Sequence, residues 1–312
     1  MTVALVTGGT GFVGANLVRR LLADGDAVHL LVRPGHQTWR LDDVLDDVVR
    51  HQVDLCDREA VAALIGSVTP DRVFHLAVHG AYSWQTERDA MFATNVIGTD
   101  NLVRACAAAG TPALVHTGSS SEYGPYRHAP DEYEAGTPDS YYGLTKAWAT
   151  MSCRFAGFTT LRLYSVYGPW EEPRRLIPQL ITLGLQGRLP PLAQPDTARD
   201  FVHVDDVVDA MLLAAASPAP EQGTPGPVYN VGTGVQTTLQ EAVAVARDVL
   251  AIEAAPAWAT MAARSWDTDV WVADARRITR DLGWVPRTTF ADGLARTVAW
   301  QRTRGAQEVP GS

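Results

Sequence analysis

Apolar residues along this chain fall into two alternating patterns: short β-branched-rich runs, and stretches where apolar positions recur every three or four residues. Val3-Ala4-Leu5-Val6-Thr7 predicts a buried strand, and helical periodicity follows through Leu17, Leu21 and Leu22. Ala27–Val32 predicts a second strand and a third ends at Asp54-Leu55. Arg72–Ala77 predicts a fourth and Ala113–Thr117 a fifth. The alternation continues to about Leu163, which predicts an α/β fold built on a doubly wound parallel sheet, with a smaller C-terminal α/β domain. The expected boundaries are 1–167 for the first domain, with 200–232 returning to it, and 168–199 plus 233–312 for the second. Ser217–Pro227, rich in proline and glycine, predicts a surface loop. Thr238-Leu239-Gln240-Glu241 predicts a capping-box start for a helix through Leu250, and Gly305–Ser312 a frayed tail.

Between the first strand and the first helix lies Thr7-Gly8-Gly9-Thr10-Gly11-Phe12-Val13-Gly14. Strand, glycine turn and helix in this order form a dinucleotide-binding unit, which makes the sheet a Rossmann sheet. Gly8 and Gly9 permit the turn, Gly11 lets backbone approach a pyrophosphate, and Gly14 lets helix pack on strand. With Phe12 and Val13 they present the N–H groups and partial positive charge of a helix N-terminus to the phosphates. Arg33 stands at the end of the second strand, where NAD-preferring folds place an acid for the ribose 2′-hydroxyl. A forked, permanently charged guanidinium suits a 2′-phosphate, so NADP(H) is favoured over NAD. Asp54 and Leu55 would flank the adenine.

Tyr142 and Lys146 lie one helical turn apart on a helix that Asp139-Ser140 can cap. An ammonium beside a phenol stabilises the phenolate and lowers its pKa toward working pH. Ser119, at the carboxyl end of the fifth strand, can hydrogen-bond the reacting oxygen. These three are the candidate catalytic residues, with Ser120 the runner-up for the serine role. His79 and Tyr82 follow the fourth strand and are expected to line a substrate pocket. His75 and His116 fall inside strands and are expected to pack.

The 312 residues can bury a large core, and 46% hydrophobic with 20% charged content suits a soluble globular protein. A net charge of −9 without a basic stripe argues against nucleic acid as a partner. Three scattered cysteines suggest a reducing compartment. With no basic leader and no bilayer-length apolar run, the expected location is cytoplasmic, without a membrane partner. No His/Cys cluster has metal-ligand spacing, so no metal is expected.

The separated motifs TGGTGFVG, HLAV, Asn95-Val96 with Gly98-Thr99, SSSEYG, YGLTK, VYGP, RDFVHVDD and YNVGTG together resemble the extended short-chain dehydrogenase/reductases. The likeness is to the branch of NAD-dependent epimerases and dehydratases of nucleotide sugars, and runs from Val3 to Trp300. It implies that Leu76 and Ala77 of HLAV line the cofactor, and that the substrate is a nucleotide-diphosphate sugar. It also implies a homodimer through helices at about 90–110 and 141–157. The branch's dehydratases carry an acidic pair after the catalytic Ser or Thr. Here those positions are Ser120 and Ser121, so dehydration is disfavoured. The segment Gly118–Gly124 resembles that of 4-ketoreductases of nucleotide-linked 4-keto-6-deoxyhexoses. With Arg33, this makes an NADPH-dependent 4-ketoreductase the leading expectation. An NAD-dependent nucleotide-sugar epimerase is the alternative, and a non-catalytic NADP(H) sensor a minor one. The resemblance also implies that Ser120 and Ser165 (where the family commonly has Asn) contact substrate, and that Arg199 and Arg264 clamp its diphosphate. Asp205 and Asp206 would belong to a segment fixing the chain's return to the first domain.

Overall fold

A computed structural model describes residues 1–218, 220–221, 223–261 and 268–304. Its strands are β1 (Val3–Thr7), β2 (Ala27–Val32), β3 (Val49–Gln52), β4 (Arg72–His75), β5 (Ala113–Ser119), β6 (Thr159–Leu163), β7 (Ser165–Tyr167), β8 (Ala198–Arg199), β9 (Phe201–His203), β10 (Val228–Val231) and β11 (Thr237–Thr238). The helices are α1 (Phe12–Ala23), α2 (Arg58–Val68), α3 (Arg88–Met91), α4 (Thr99–Ala109), α5 (Tyr141–Phe155), α6 (Leu176–Gly184), α7 (Val204–Ala216), α8 (Leu239–Leu250), α9 (Arg276–Leu282) and α10 (Phe290–Arg304). A π-helical segment, Phe92–Gly98, joins α3 to α4.

Seven parallel strands form one sheet in the order β10-β6-β5-β4-β1-β2-β3. The order reverses beside β1, so the strand ends splay there and open a crevice for a ligand. One face buries Leu17, Val18 and Leu21 of α1 and Val207, Val208 and Met211 of α7. The other buries Val61, Leu64 and Ile65 of α2, Leu102, Val103 and Cys106 of α4, and Cys153 of α5. Strands covered on both sides need apolar residues at consecutive positions, which is why β1 and β2 read as continuous apolar runs rather than alternating ones. A third core joins α6, α8 and α10 through Ile177, Leu180, Val243 and Leu294.

Late parts of the chain return to the first lobe. β10 adds the seventh strand beside β6, and Ile278 of α9 and Trp284 bury themselves in the α1–α7 core. The Asp206 carboxylate accepts from the backbone N–H groups of Arg287 and Thr288, while Trp284 Nε1 donates to Asp206 O. The capping box at Thr238 and Glu241 is formed, and α8 ends at Leu250.

Three strand ends differ from the sequence reading. β3 stops at Gln52, because the Asp54 carboxylate accepts from Cys56 N and turns the chain. β4 stops at His75, before Leu76-Ala77. β5 runs on through Ser119, where Glu122 takes up the Ser119 N–H at 2.8 Å and starts a single helical turn, Ser120–Glu122.

Candidate active site

A cavity of about 1660 Å³ lies along the carboxyl ends of the parallel strands. One drug-sized ligand commonly fills 300–1,000 Å³, so this cleft has room for a dinucleotide and a second ligand together.

At one end it is lined by Gly8, Gly11, Phe12, Val13 and Gly14. Gly14 cannot carry a side chain, because an ideal Cβ there would lie 2.2 Å from Gly8 O. That close approach brings the start of α1 against the turn. The N-cap of α1 is Gly11, with no side-chain cap. The first-turn N–H groups therefore face the cleft without a built-in acceptor, as a pyrophosphate site requires. These residues fit a dinucleotide. Arg33 is exposed where β2 ends, and Asp54 and Leu55 line the same end, with Leu76 and Ala77 further along.

The strand ends and α5 carry the candidate catalytic groups. Ser140 caps α5 by accepting from Gly143 N at 3.1 Å. An ideal Cβ on Gly143 would meet Ser121 O at 2.4 Å, so glycine there lets α5 dock on the serine turn. Docking places Tyr142 within hydrogen-bond reach of Ser119. A second tie comes from buried Asn95, whose amide accepts from His79 N at 2.9 Å and donates to His79 O and Thr145 Oγ1. One side chain thus fixes α5 to the loop after β4. In the sequence Asn95 stands out only as part of the Asn95-Val96 motif.

The expected lowering of the Tyr142 pKa by Lys146 is not what the structure shows. Burial pushes the phenol above its ordinary value, and the Glu122 carboxylate adds to this. The Ser119 hydrogen bond and the Arg175 guanidinium act against it without overcoming it. Spacing puts Lys146 one turn from Tyr142, but its ammonium turns to Thr117 O and His116 instead, and spacing cannot weigh the desolvation of the phenol. Lys146 itself is buried, and burial brings its pKa down to about 8. Its Nζ donates to Thr117 O and lies 3.3 Å from His116 Nε2. His116 is therefore more than the packing residue expected from its place in a strand.

Glu122 is the acid of the SSSEYG motif. It is buried, accepting from Ser119 N and Thr150 Oγ1 and pairing with Arg162 Nε at 2.8 Å. Burial alone would lower the Arg162 pKa, but the Glu122 carboxylate overrides it and the net shift is upward. The pair anchors the end of β5 to β6 and holds Ser119 in place.

The remainder of the cleft holds the expected substrate residues. His79, Tyr82, Ser120, Ser165 and Arg199 all line it. The His79 ring reaches Glu87 at 3.2 Å. Tyr82 stacks on Trp84, which lies beneath the Arg174 guanidinium. Arg199 sits over the Trp271 ring. The next residue, Asp200, accepts from the N–H groups of Thr233, Gly234 and Ala273 and locks the Arg199 segment to the loop after β10. Nothing in its spacing had marked that role. Arg264 lies outside the described residues. No group of three or more His, Cys, Asp or Glu able to hold a metal occurs among the described residues, and no described helix is long and apolar enough to cross a membrane.

A family model described as the NAD dependent epimerase/dehydratase family matches residues 4–232. A dTDP-glucose 4,6-dehydratase of Streptomyces griseus is 30% identical, over 95% of this chain and 93% of its own length. A UDP-glucose 4-epimerase of Mycolicibacterium smegmatis is 31% identical, over 96% and 98%. The solved structure of MoeE5 in complex with UDP-glucuronic acid and NAD superposes with a TM-score of 0.82 at 30% identity, over 96% of this chain and 99% of that one.

Proposed function

The chain belongs to the NAD-dependent epimerase/dehydratase family, and within that family's nucleotide-sugar chemistry we propose that it is an epimerase. The observation that carries this reading is the proton-transfer inventory of the serine turn. Ser120 and Ser121 stand where elimination would need an acid and a base, and Glu122, the acid in that turn, is buried and committed to Arg162, Thr150 and Ser119 N. Among the described residues of α5 and the serine turn, Tyr142 is read as the group that serves a reacting hydroxyl. One such group suffices to take a proton as the sugar carbon is oxidised and to return it to the turned-over ketone. Dehydration across an adjacent carbon would need a second. A UDP-glucose 4-epimerase among the relatives, and the UDP-glucuronic acid and NAD bound by MoeE5, are compatible with this reading, though 4,6-dehydratases stand among the relatives too.

When bound, the nicotinamide would supply the hydride acceptor and donor. The residues of the chain do the rest. Gly8, Gly11 and Gly14 would seat the pyrophosphate at the start of α1, and Lys146 would hold the nicotinamide ribose. Ser119 would orient the sugar oxygen for Tyr142, and Arg199 would face the substrate diphosphate with His79, Tyr82 and Ser165 around the sugar.

One observation favours a second reading. Arg33, exposed where an acid would bind the ribose hydroxyl, suits the 2′-phosphate of NADPH and hence a 4-ketoreductase. Identifying the nucleotide released on denaturation, and following UDP- and dTDP-hexoses by NMR, decides between them. Bound NAD and a 4-epimer formed without net change in nicotinamide absorbance support the epimerase. An empty protein that consumes NADPH stoichiometrically with a 4-keto sugar overturns it in favour of the reductase.

We also propose that the active form is a homodimer. Leu144, Trp148, Met151 and Phe155 leave an exposed apolar stripe along α5, next to Phe92 and Ile97 of the preceding segment. A second copy of the same helices would cover it. Phe155→Asp is expected to convert a dimer to a monomer in analytical ultracentrifugation. A wild-type chain that sediments as a monomer would refute the interface.

A further inference from the structure

Two histidines lie wholly buried behind the catalytic helix. His75 uses both ring nitrogens, Nδ1 against Thr7 Oγ1 at 2.7 Å and Nε2 against Thr99 Oγ1 at 2.9 Å. His116, with its ring 5.2 Å from that of His75, differs: Nε2 lies 3.3 Å from Lys146 Nζ, and Nδ1 is buried with no partner. A residue present only for packing would be better as Phe or Leu, since a buried, unpaired ring nitrogen costs about 1–3 kcal/mol. The imidazole is explained by what Nε2 does.

An ammonium donates only, through three N–H groups. Thr117 O takes one and His116 Nε2 can take a second, leaving one for a ligand. Acceptance at Nε2 puts the imidazole hydrogen on Nδ1 and requires a neutral ring. Burial, followed by the charge of Lys146 and the neighbouring His75, holds His116 well below its ordinary pKa and so keeps it neutral.

We propose that His116 is a positioning residue for Lys146, accepting one N–H of the buried ammonium so that the charge persists and a single remaining N–H is aimed at the nicotinamide ribose. The proposal rests on the reading that Lys146 serves the cofactor. The other groups facing the ammonium are His75 from β4, Glu122 from the turn after β5, and Cys153 from α5, with Tyr142 one turn before it. Glu122 and Cys153 favour the charge and burial opposes it. Removing the acceptor would leave burial less opposed.

Lys146 is the only lysine among the chain's 26 Lys and Arg side chains. Protein grown on ¹³C-lysine therefore gives a single side-chain Cε resonance, which can be titrated with no substrate present. The wild-type midpoint is expected near 8. His116→Phe and His116→Met, which lack the acceptor, should lower it by about one unit, a tenfold smaller ammonium fraction above the midpoint. His116→Gln can put an amide oxygen near the place of Nε2 and should restore the midpoint to within a few tenths of a unit. If Phe and Met variants fail to fold while Gln folds and titrates like wild type, the acceptor role is supported. Coincident midpoints in wild type and His116→Phe or His116→Met overturn the proposal, as does failure of all three variants to fold, because the imidazole would then be needed for its shape. Absence of any nucleotide-sugar turnover by wild type would instead overturn the function proposed above, leaving the titration result standing.

Discussion

Tyr142→Phe is expected to lower kcat for nucleotide-sugar turnover by roughly 10²–10⁴-fold, the usual contribution of a positioned proton-transfer group. The substitution keeps the ring and removes only the hydroxyl that Ser119 reaches. Cofactor content should be unchanged, because the glycine turn, the uncapped start of α1 and Lys146 are untouched. KM should change little if the phenol acts in the reaction rather than in binding. Steady-state rates for the purified variant, with released nucleotide quantified in parallel, give both values. Wild-type kcat in the variant would remove Tyr142 from the chemistry, and with it the catalytic reading of the site.

Glu122→Ala is expected to destabilise the protein by about 3–5 kcal/mol, because it strands the largely buried Arg162 guanidinium without its counter-charge. The loss extends to the bonds from Ser119 N and Thr150 Oγ1, so the end of β5 loosens where Ser119 meets Tyr142. Urea-unfolding midpoints measure the first effect and kcat the second. Pairing Glu122→Ala with Arg162→Met should recover most of the stability, since two apolar side chains leave no buried charge. Activity should remain low, because Ser119 N still lacks its acceptor. A midpoint unmoved in the single variant would show that Glu122 does not anchor the turn.

Much of this fold is carried by local signals. β1 and β2 lie where apolar runs placed them, because strands buried on both faces have no choice but continuous apolar sequence. The caps at Ser140 and Thr238 were equally plain, since an N-cap is a contact over three residues. Strand ends were less so. β3, β4 and β5 end where Asp54, the chain after His75 and Glu122 turn the backbone, and such turns compete with ladder bonds whose strength depends on neighbouring strands.

The site divides in the same way. Apart from Gly9 of the turn, every described residue that the sequence singled out for cofactor, catalysis or substrate lines one cavity, because parallel topology carries all the strand ends to one edge of the sheet. The lone lysine was in plain view. Arginine, a planar fork, does not match the compact three-donor ammonium that Thr117 O and His116 receive, and Lys146 is the one lysine among 26 Lys and Arg side chains.

The sequence by itself determined the parallel α/β sheet and its glycine turn, and put Ser119, Tyr142 and Lys146 forward as candidates, since each rests on spacing along a strand or a helix. Only the tertiary structure decided which polar groups are bound to one another across the sheet. It gave Glu122 to Arg162, Asp200 to the loop after β10, and His116 to Lys146. It also set the direction in which the Tyr142 phenol is displaced. These outcomes turn on burial and on partners far away in the chain, and desolvation belongs to the packed molecule rather than to any run of residues.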